Sequence, residues 1–183
     1  MPAWGRSTQM QIPSARSGPI RTVATGRLDD GRTLIISDGD DGVVRRWDLA
    51  TREPVGNPLT GHTGTVWTVA CAQLDDGRTL IISGGDDRVL RRWDAATGEP
   101  VGNPLTGHTG TVRAVTCAQL DDGRTLIISG GDDGVLLRWD LATGEPVGNP
   151  LTGHTGWVRA VTCARLDDGR ILIISDGNDG SLI

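Results

Sequence analysis

Lysine, phenylalanine and tyrosine are missing altogether from the 183 residues. Without lysine, all 18 basic residues are arginine, set against 23 acidic ones for a formal net charge of −5. A phosphate-binding face is basic, so this balance argues against a nucleic-acid partner. Arginine is at the same time a good protein-interface residue. Without Phe or Tyr, the six tryptophans are the only aromatic residues. No apolar run has the length of a membrane span or of a signal-peptide core. Cysteine is scarce too: Cys71, Cys117 and Cys163 sit singly in equivalent apolar stretches. They read as small core residues, in neither a disulfide framework nor a metal-spaced cluster. Unpaired cysteines and the missing leader point to the cytoplasm. A Gly-rich phosphate loop ending in Gly-Lys and Ser/Thr is absent, and no cofactor is expected.

What is present is a repeat. Gly61–Thr106 is copied at Gly107–Thr152 with six differences, and Trp47, Trp93 and Trp139 recur every 46 residues. A period of this size means a stacked architecture in which one unit explains the rest. The unit shows no apolar run at helical spacing but four short runs separated by turn residues, which predicts four strands. They fall at about Thr65–Gln73, Thr79–Ser83, Val89–Asp94 and Pro100–Leu105. Asp76-Gly77 suits a hairpin between the first two. Leu80-Ile81-Ile82 is apolar on both faces, so that strand is covered on both sides. Pro100 and Pro104 place the last strand at an edge. A sheet apolar on both faces must bury them against another layer, and radial stacking of neighbours is the propeller solution.

Gly61-His62 with Trp93-Asp94, and Gly107-His108 with Trp139-Asp140, recur together in register. These pairs and the four-strand unit resemble the WD40 repeat family over nearly the whole chain from Gly18. The resemblance implies an all-β, WD40-type β-propeller, here partial: three full four-stranded sheets and an incomplete fourth. Residues 1–17 are an irregular lead-in, followed by copies at 18–60, 61–106, 107–152 and a truncated 153–183. Met10–Ile12 occupies the place of an outer strand by the 46-residue offset. The lack of lysine and the near-identity of the copies resemble arrays of high-GC filamentous bacteria, where such repeats sit behind signalling domains.

In that family a His, a Ser or Thr, an Asp and a Trp tie each sheet together. The matching sets are His62, Ser83, Asp87, Trp93 and His108, Ser129, Asp133, Trp139. The first copy keeps Ser37, Asp41 and Trp47 but has Arg16 for the histidine; the last keeps His154, Ser175 and Asp179 and stops before its tryptophan. Buried polar groups that satisfy one another are structural, and serial copies argue against a hydrolase triad. The chain is therefore not expected to be an enzyme. Asp38–Gly42 is oxygen-rich but lacks the length and the closing glutamate of a calcium loop.

Positions that differ between near-identical copies fall in two groups, at the start of the first strand and in the turn after the second. In the family's fold both lie on the rim that recognises partners, which makes Arg21, Trp67, Arg88, Arg113, Trp157 and Arg159 candidate partner-binding residues. Trp and Arg are the residue types of interface hot spots. The expectation is a protein-interaction scaffold or sensor with a partner of unknown identity. The alternative is a propeller binding glycans or small ligands in repeated pockets. Three to four sheets are fewer than a closed ring of this family uses. The ending at Ile183 favours a piece of a longer array over a homodimer closing an eight-bladed ring or an open stack.

Overall fold

Each Leu-Asp-Asp-Gly-Arg segment closes a hairpin in the same way. In the second copy the Gly77 amide donates to the Leu74 carbonyl at 3.0 Å and the Leu74 amide to Arg78 at 2.8 Å. Gly77 has φ 88°, the left-handed residue that matches a three-residue loop to the twist of its strands. The computed structural model describes residues 18–183, and every regular element in that range is a strand.

The first sheet contains β1 (Val23–Arg27), β2 (Thr33–Ser37) and β3 (Arg45–Asp48). The second contains β4 (Val66–Gln73), β5 (Thr79–Gly85), β6 (Val89–Asp94) and β7 (Leu105–Thr106). The third contains β8 (Val112–Gln119), β9 (Thr125–Gly131) and β10 (Leu136–Asp140), and the fourth β11 (Val158–Arg165) and β12 (Ile171–Gly177). All pairings are antiparallel between sequence neighbours, with Ile81 opposite Trp93 and Ile127 opposite Trp139. A bulge interrupts the first strand of each of the last three sheets, between Val66 and Thr68 in the second.

The outer strand is shorter than its sequence suggests. The run expected over Pro100–Leu105 is reduced to β7 and a single bridge between Trp93 and Pro100. In the first and third sheets only bridges remain, such as Val44 with Leu59 and Trp139 with Pro146. The prolines have no N–H to give a ladder, so Val101, donating to the Arg92 carbonyl at 2.8 Å, is among the few amides that tie this segment down. The outer-strand expectation for Met10–Ile12 and the position of Arg16 lie outside the described residues.

The core lies between sheets. Leu34 and Ile36 of β2 face Val69, Ile81, Trp93 and Ala95 of the second sheet. Leu80 and Ile82 of β5 face Ile127, Trp139 and Leu141 of the third. Leu126 and Ile128 of β9 face Val158, Val161 and Ile173 of the fourth. The middle strand thus feeds two interfaces, which is why its residues are apolar without alternation. Cys71, Cys117 and Cys163 carry free thiols and pack into these interfaces; burial pushes the Cys71 and Cys117 thiols up to about 12.

A guanidinium locks each of the first two interfaces. Arg46 donates to the carbonyls of Ala95, Ala96 and Thr97, at 2.9, 2.9 and 3.3 Å. Arg92 does the same to Leu141, Ala142 and Thr143, at 2.8, 3.0 and 3.3 Å. The receiving turn is shaped by its own aspartate, since Asp94 Oδ1 accepts from the amides of Ala96 and Thr97. It ends in Gly98, at φ 84°, where a Cβ would meet Arg46 Cζ at 2.8 Å. Glycine is needed there twice, for its backbone and for the approach of the guanidinium.

Candidate partner-binding rim

The tetrad residues come together in every sheet that has them. His62 lies 2.9 Å from Asp87 through Nδ1 and 2.8 Å from Ser83 Oγ through Nε2, and the Trp93 indole donates to Ser83 Oγ at 2.9 Å. The chain therefore runs from indole N–H to serine, serine O–H to Nε2, and Nδ1–H to carboxylate. His108, Asp133, Ser129 and Trp139 repeat it, the indole contact lengthening to 3.3 Å. Burial by itself would raise the Asp87 carboxyl. The His62 hydrogen bond, with the Thr63 and Val89 amides, outweighs it and holds the group below the usual carboxylate range. Ser83 and Ser129 are fully buried, so each oxygen is engaged inside the sheet.

The two outer sheets complete the set differently. In the first, Trp47 donates to Ser37 at 2.9 Å and Asp41 pairs with Arg45 at 2.7 Å. In the fourth, His154 meets Ser175 at 2.9 Å and Asp179 at 3.2 Å, and Ser181 bonds both His154 and Asp179. The Ser181 hydroxyl and amide, with the Thr155 amide, pull the Asp179 carboxyl far below its ordinary value.

Four of the six rim candidates form one row across the sheets. The Arg21 guanidinium lies 4.6 Å from the Trp67 ring centroid and that of Arg113 lies 4.3 Å away, each from a flanking sheet. Arg113 also stands 5.6 Å from the Trp157 ring. The order Arg21, Trp67, Arg113, Trp157 is a ladder of cation–π contacts, each worth about 0.5–1 kcal/mol where exposed. Arg21, Trp67 and Arg113, spaced by 46, each have an acid 19 positions later in the turn after the middle strand; their counterpart in the fourth sheet is Arg159. Arg21 pairs with Asp40 at 2.6 Å, Trp67 Nε1 donates to Asp86 at 2.6 Å, and Arg113 pairs with Asp132 at 2.8 Å. Asn178 takes the acid's place in the fourth sheet and accepts instead from the Trp157 amide at 2.6 Å. Arg159 is exposed there, and Trp157, 47% exposed, ends the ladder.

Arg88 stands apart from the row. It is exposed in the β5–β6 turn at φ 67°, where the other copies place Gly42, Gly134 and Gly180 at φ 72–77°. Sequence reasoning did not foresee the acid partners or the clamps. The constant spacing of 19 between Arg21 and Asp40, Trp67 and Asp86, and Arg113 and Asp132 carried the first signal. Arg46 and Arg92, each one residue before a tryptophan, carried the second.

Sheets stacked face to face around repeated inner strands are the blades of a β-propeller. The family model of the WD domain, G-beta repeat, matches residues 52–94 and 98–140. The fold is all-β and propeller-like, and residues 52–94 and 98–140 are WD40 repeats. The crystal structure of the computationally designed Ika4 protein is similar to it, with a TM-score of 0.73 over 96% of this chain and 97% of that one. At 23% identity the likeness is one of fold. No curated protein sequence matches the chain.

Proposed function

We infer that the chain is a non-catalytic protein-interaction scaffold that holds its partner on the rim bearing the Arg–Trp ladder. WD40 repeats are generally protein-interaction scaffolds. The observation that carries the finer reading is the open end of the ladder. Trp157 offers a large, rigid, half-exposed ring beside Arg159, whose acid partner is replaced by Asn178. An exposed tryptophan next to an arginine is the composition of an interface hot spot, and the rungs behind it hold it in place through Arg113. Arg21, Trp67 and Arg113 are already engaged with one another and with carboxylates, so their role in this reading is to set the shape and charge of the surface.

Trp157→Ala removes contact area without opening the core. The expected outcome is loss of partner capture with thermal stability changed by less than about 0.5 kcal/mol, as for surface substitutions. Capture of the same proteins at full strength by Trp157→Ala and Arg159→Ala together would refute the rim reading.

A homodimer closing an eight-bladed ring is a further reading of the two end faces. Ile20, Val23 and Leu49 are exposed on the first blade, and Leu172, Leu182 and Ile183 on the fourth. Such a contact would be hydrophobic and without the guanidinium clamp, because Arg52 stands at φ 67° where Gly98 and Gly144 receive it at the other junctions.

A further inference from the structure

The residue before each tryptophan is constant, as Arg46, Arg92 and Arg138, but the one before that is not: Arg45, Arg91 and Leu137 hold that place. Arg45 pairs with Asp41, four positions earlier, at 2.7 Å. Asp87 is the corresponding acid for Arg91, but His62 Nδ1 lies 3.0 and 2.9 Å from its two oxygens and the Thr63 amide donates to it at 3.3 Å. The tetrad histidine thus takes the carboxylate that would neutralise Arg91. Among the described residues Arg91 makes no hydrogen bond or ion pair, and its Nε is buried without an acceptor. A half-buried guanidinium that has lost water without gaining an acceptor favours negative charge beside it.

Beside it is a cleft of about 440 Å³ between the outer parts of the first two blades, lined by residues 56–60 and 97–100 with Arg46, Arg91 and Trp93. Arg91 reaches the cleft because residue 61 is glycine: a Cβ there would meet Arg91 Nη1 at 3.2 Å. Arg46 brings a second guanidinium, whose Nε is also buried without an acceptor. Glu99 is the only carboxylate on this lining; it is exposed and makes no ion pair among the described residues. Two cations therefore face one acid, in a chain whose formal net charge is −5. The next junction lacks the pair, because Leu137 lies against Gly107 as Arg91 does against Gly61.

We propose that this cleft is a binding site for a phosphate dianion, free or as the ester of a small molecule, with Arg91 as its main ligand and Arg46 as a second positive charge. A guanidinium offers parallel N–H donors that match two phosphate oxygens. Two cations favour a dianion over a monoanion. Asn57 and Thr60, on the same lining, offer a neutral amide and a hydroxyl. None of the lining residues belongs to the Arg–Trp ladder, so the site stands or falls independently of the rim.

The test titrates the whole chain with glycerol 3-phosphate, inorganic phosphate and acetate at about pH 8, where phosphate esters are dianions, with ionic strength held constant by chloride. Nuclear magnetic resonance reads the Arg91 side-chain Nε–H and the Gly61 amide. Both signals are expected to shift saturably, with a Kd of about 1–10 mM for the phosphoryl ligands and at least about tenfold weaker for acetate. An ester that binds more tightly than inorganic phosphate identifies a phosphorylated small molecule; one that does not identifies the free ion. Arg91→Leu copies the residue that the third blade already carries, so its melt should match the parent while the Gly61 response weakens at least about tenfold. Leu137→Arg should make the Gly107 amide respond as Gly61 does, and Glu99→Gln should tighten binding. No saturable shift by about 100 mM phosphate, an undiminished Gly61 response in Arg91→Leu, or acetate binding as tightly as phosphate would each overturn the proposal.

Discussion

Arg88 is a bulky residue in a left-handed turn where its counterparts are glycine. A Cβ at Gly42 would meet the Gly64 carbonyl oxygen of the next blade at 2.8 Å, and one at Gly134 the Gly156 oxygen at 2.9 Å. A side chain in left-handed backbone costs about 1–2 kcal/mol, partly offset by the greater freedom glycine has when unfolded. Arg88→Gly is therefore expected to stabilise the chain by about 0.5–1 kcal/mol, read as a raised denaturation midpoint at unchanged slope. At the same scale, the tetrad carboxylates set the response to acid. Asp87 and Asp133 have folded values depressed below 3.8, so the unfolded chain binds the proton first. The stability they contribute is present above about pH 4 and is lost as pH falls through the depressed folded values. Thermal melts from about pH 7 to pH 2 should show this fall, and Asp87→Asn should be less stable at neutral pH and fall less steeply.

For a single blade, what matters is how it grips the next. Arg92 is a buried cation whose guanidinium satisfies three carbonyls of the third blade, whereas Arg138 has one bond and partial exposure. Arg92→Met strips those carbonyls of their donor and is expected to cost about 2–4 kcal/mol. The same change at Arg138 should cost less than about 1 kcal/mol. Chemical denaturation of the two variants measures the contrast; equal losses would mean that the clamp contributes nothing beyond packing. The hairpins and the middle strands were legible in the sequence because Asp-Asp-Gly and Leu-Ile-Ile report local turn chemistry and two-sided burial. The outer strand was not, because the prolines that mark it as an edge also prevent most of its pairing.

Among the described residues the main contacts between blades join sequence neighbours, so stability is approximately a sum of blade and junction terms. β5 is buried at every position, whereas β11 and β12 are mostly half-buried or exposed. Hydrogen exchange should therefore show β11 and β12 opening at lower free energy than β5. Light scattering addresses the ends. Closure of two copies into a ring gives a sharp species at twice 19.3 kDa, whereas a monomer at micromolar concentration refutes ring closure.

The sequence alone determined the repeat and the inner strands of its unit, because these follow from period and turn chemistry; the members of the tetrads and the place of the rim came with the resemblance to the WD40 family. Tertiary structure decided which side chains meet across blades. The alternation of Arg21, Trp67, Arg113 and Trp157 into one ladder, and the reach of Arg46 and Arg92 to carbonyls about fifty positions away, depend on how far one blade is turned against the next. That angle is set by the packing of whole faces, and no local pattern of residues encodes it.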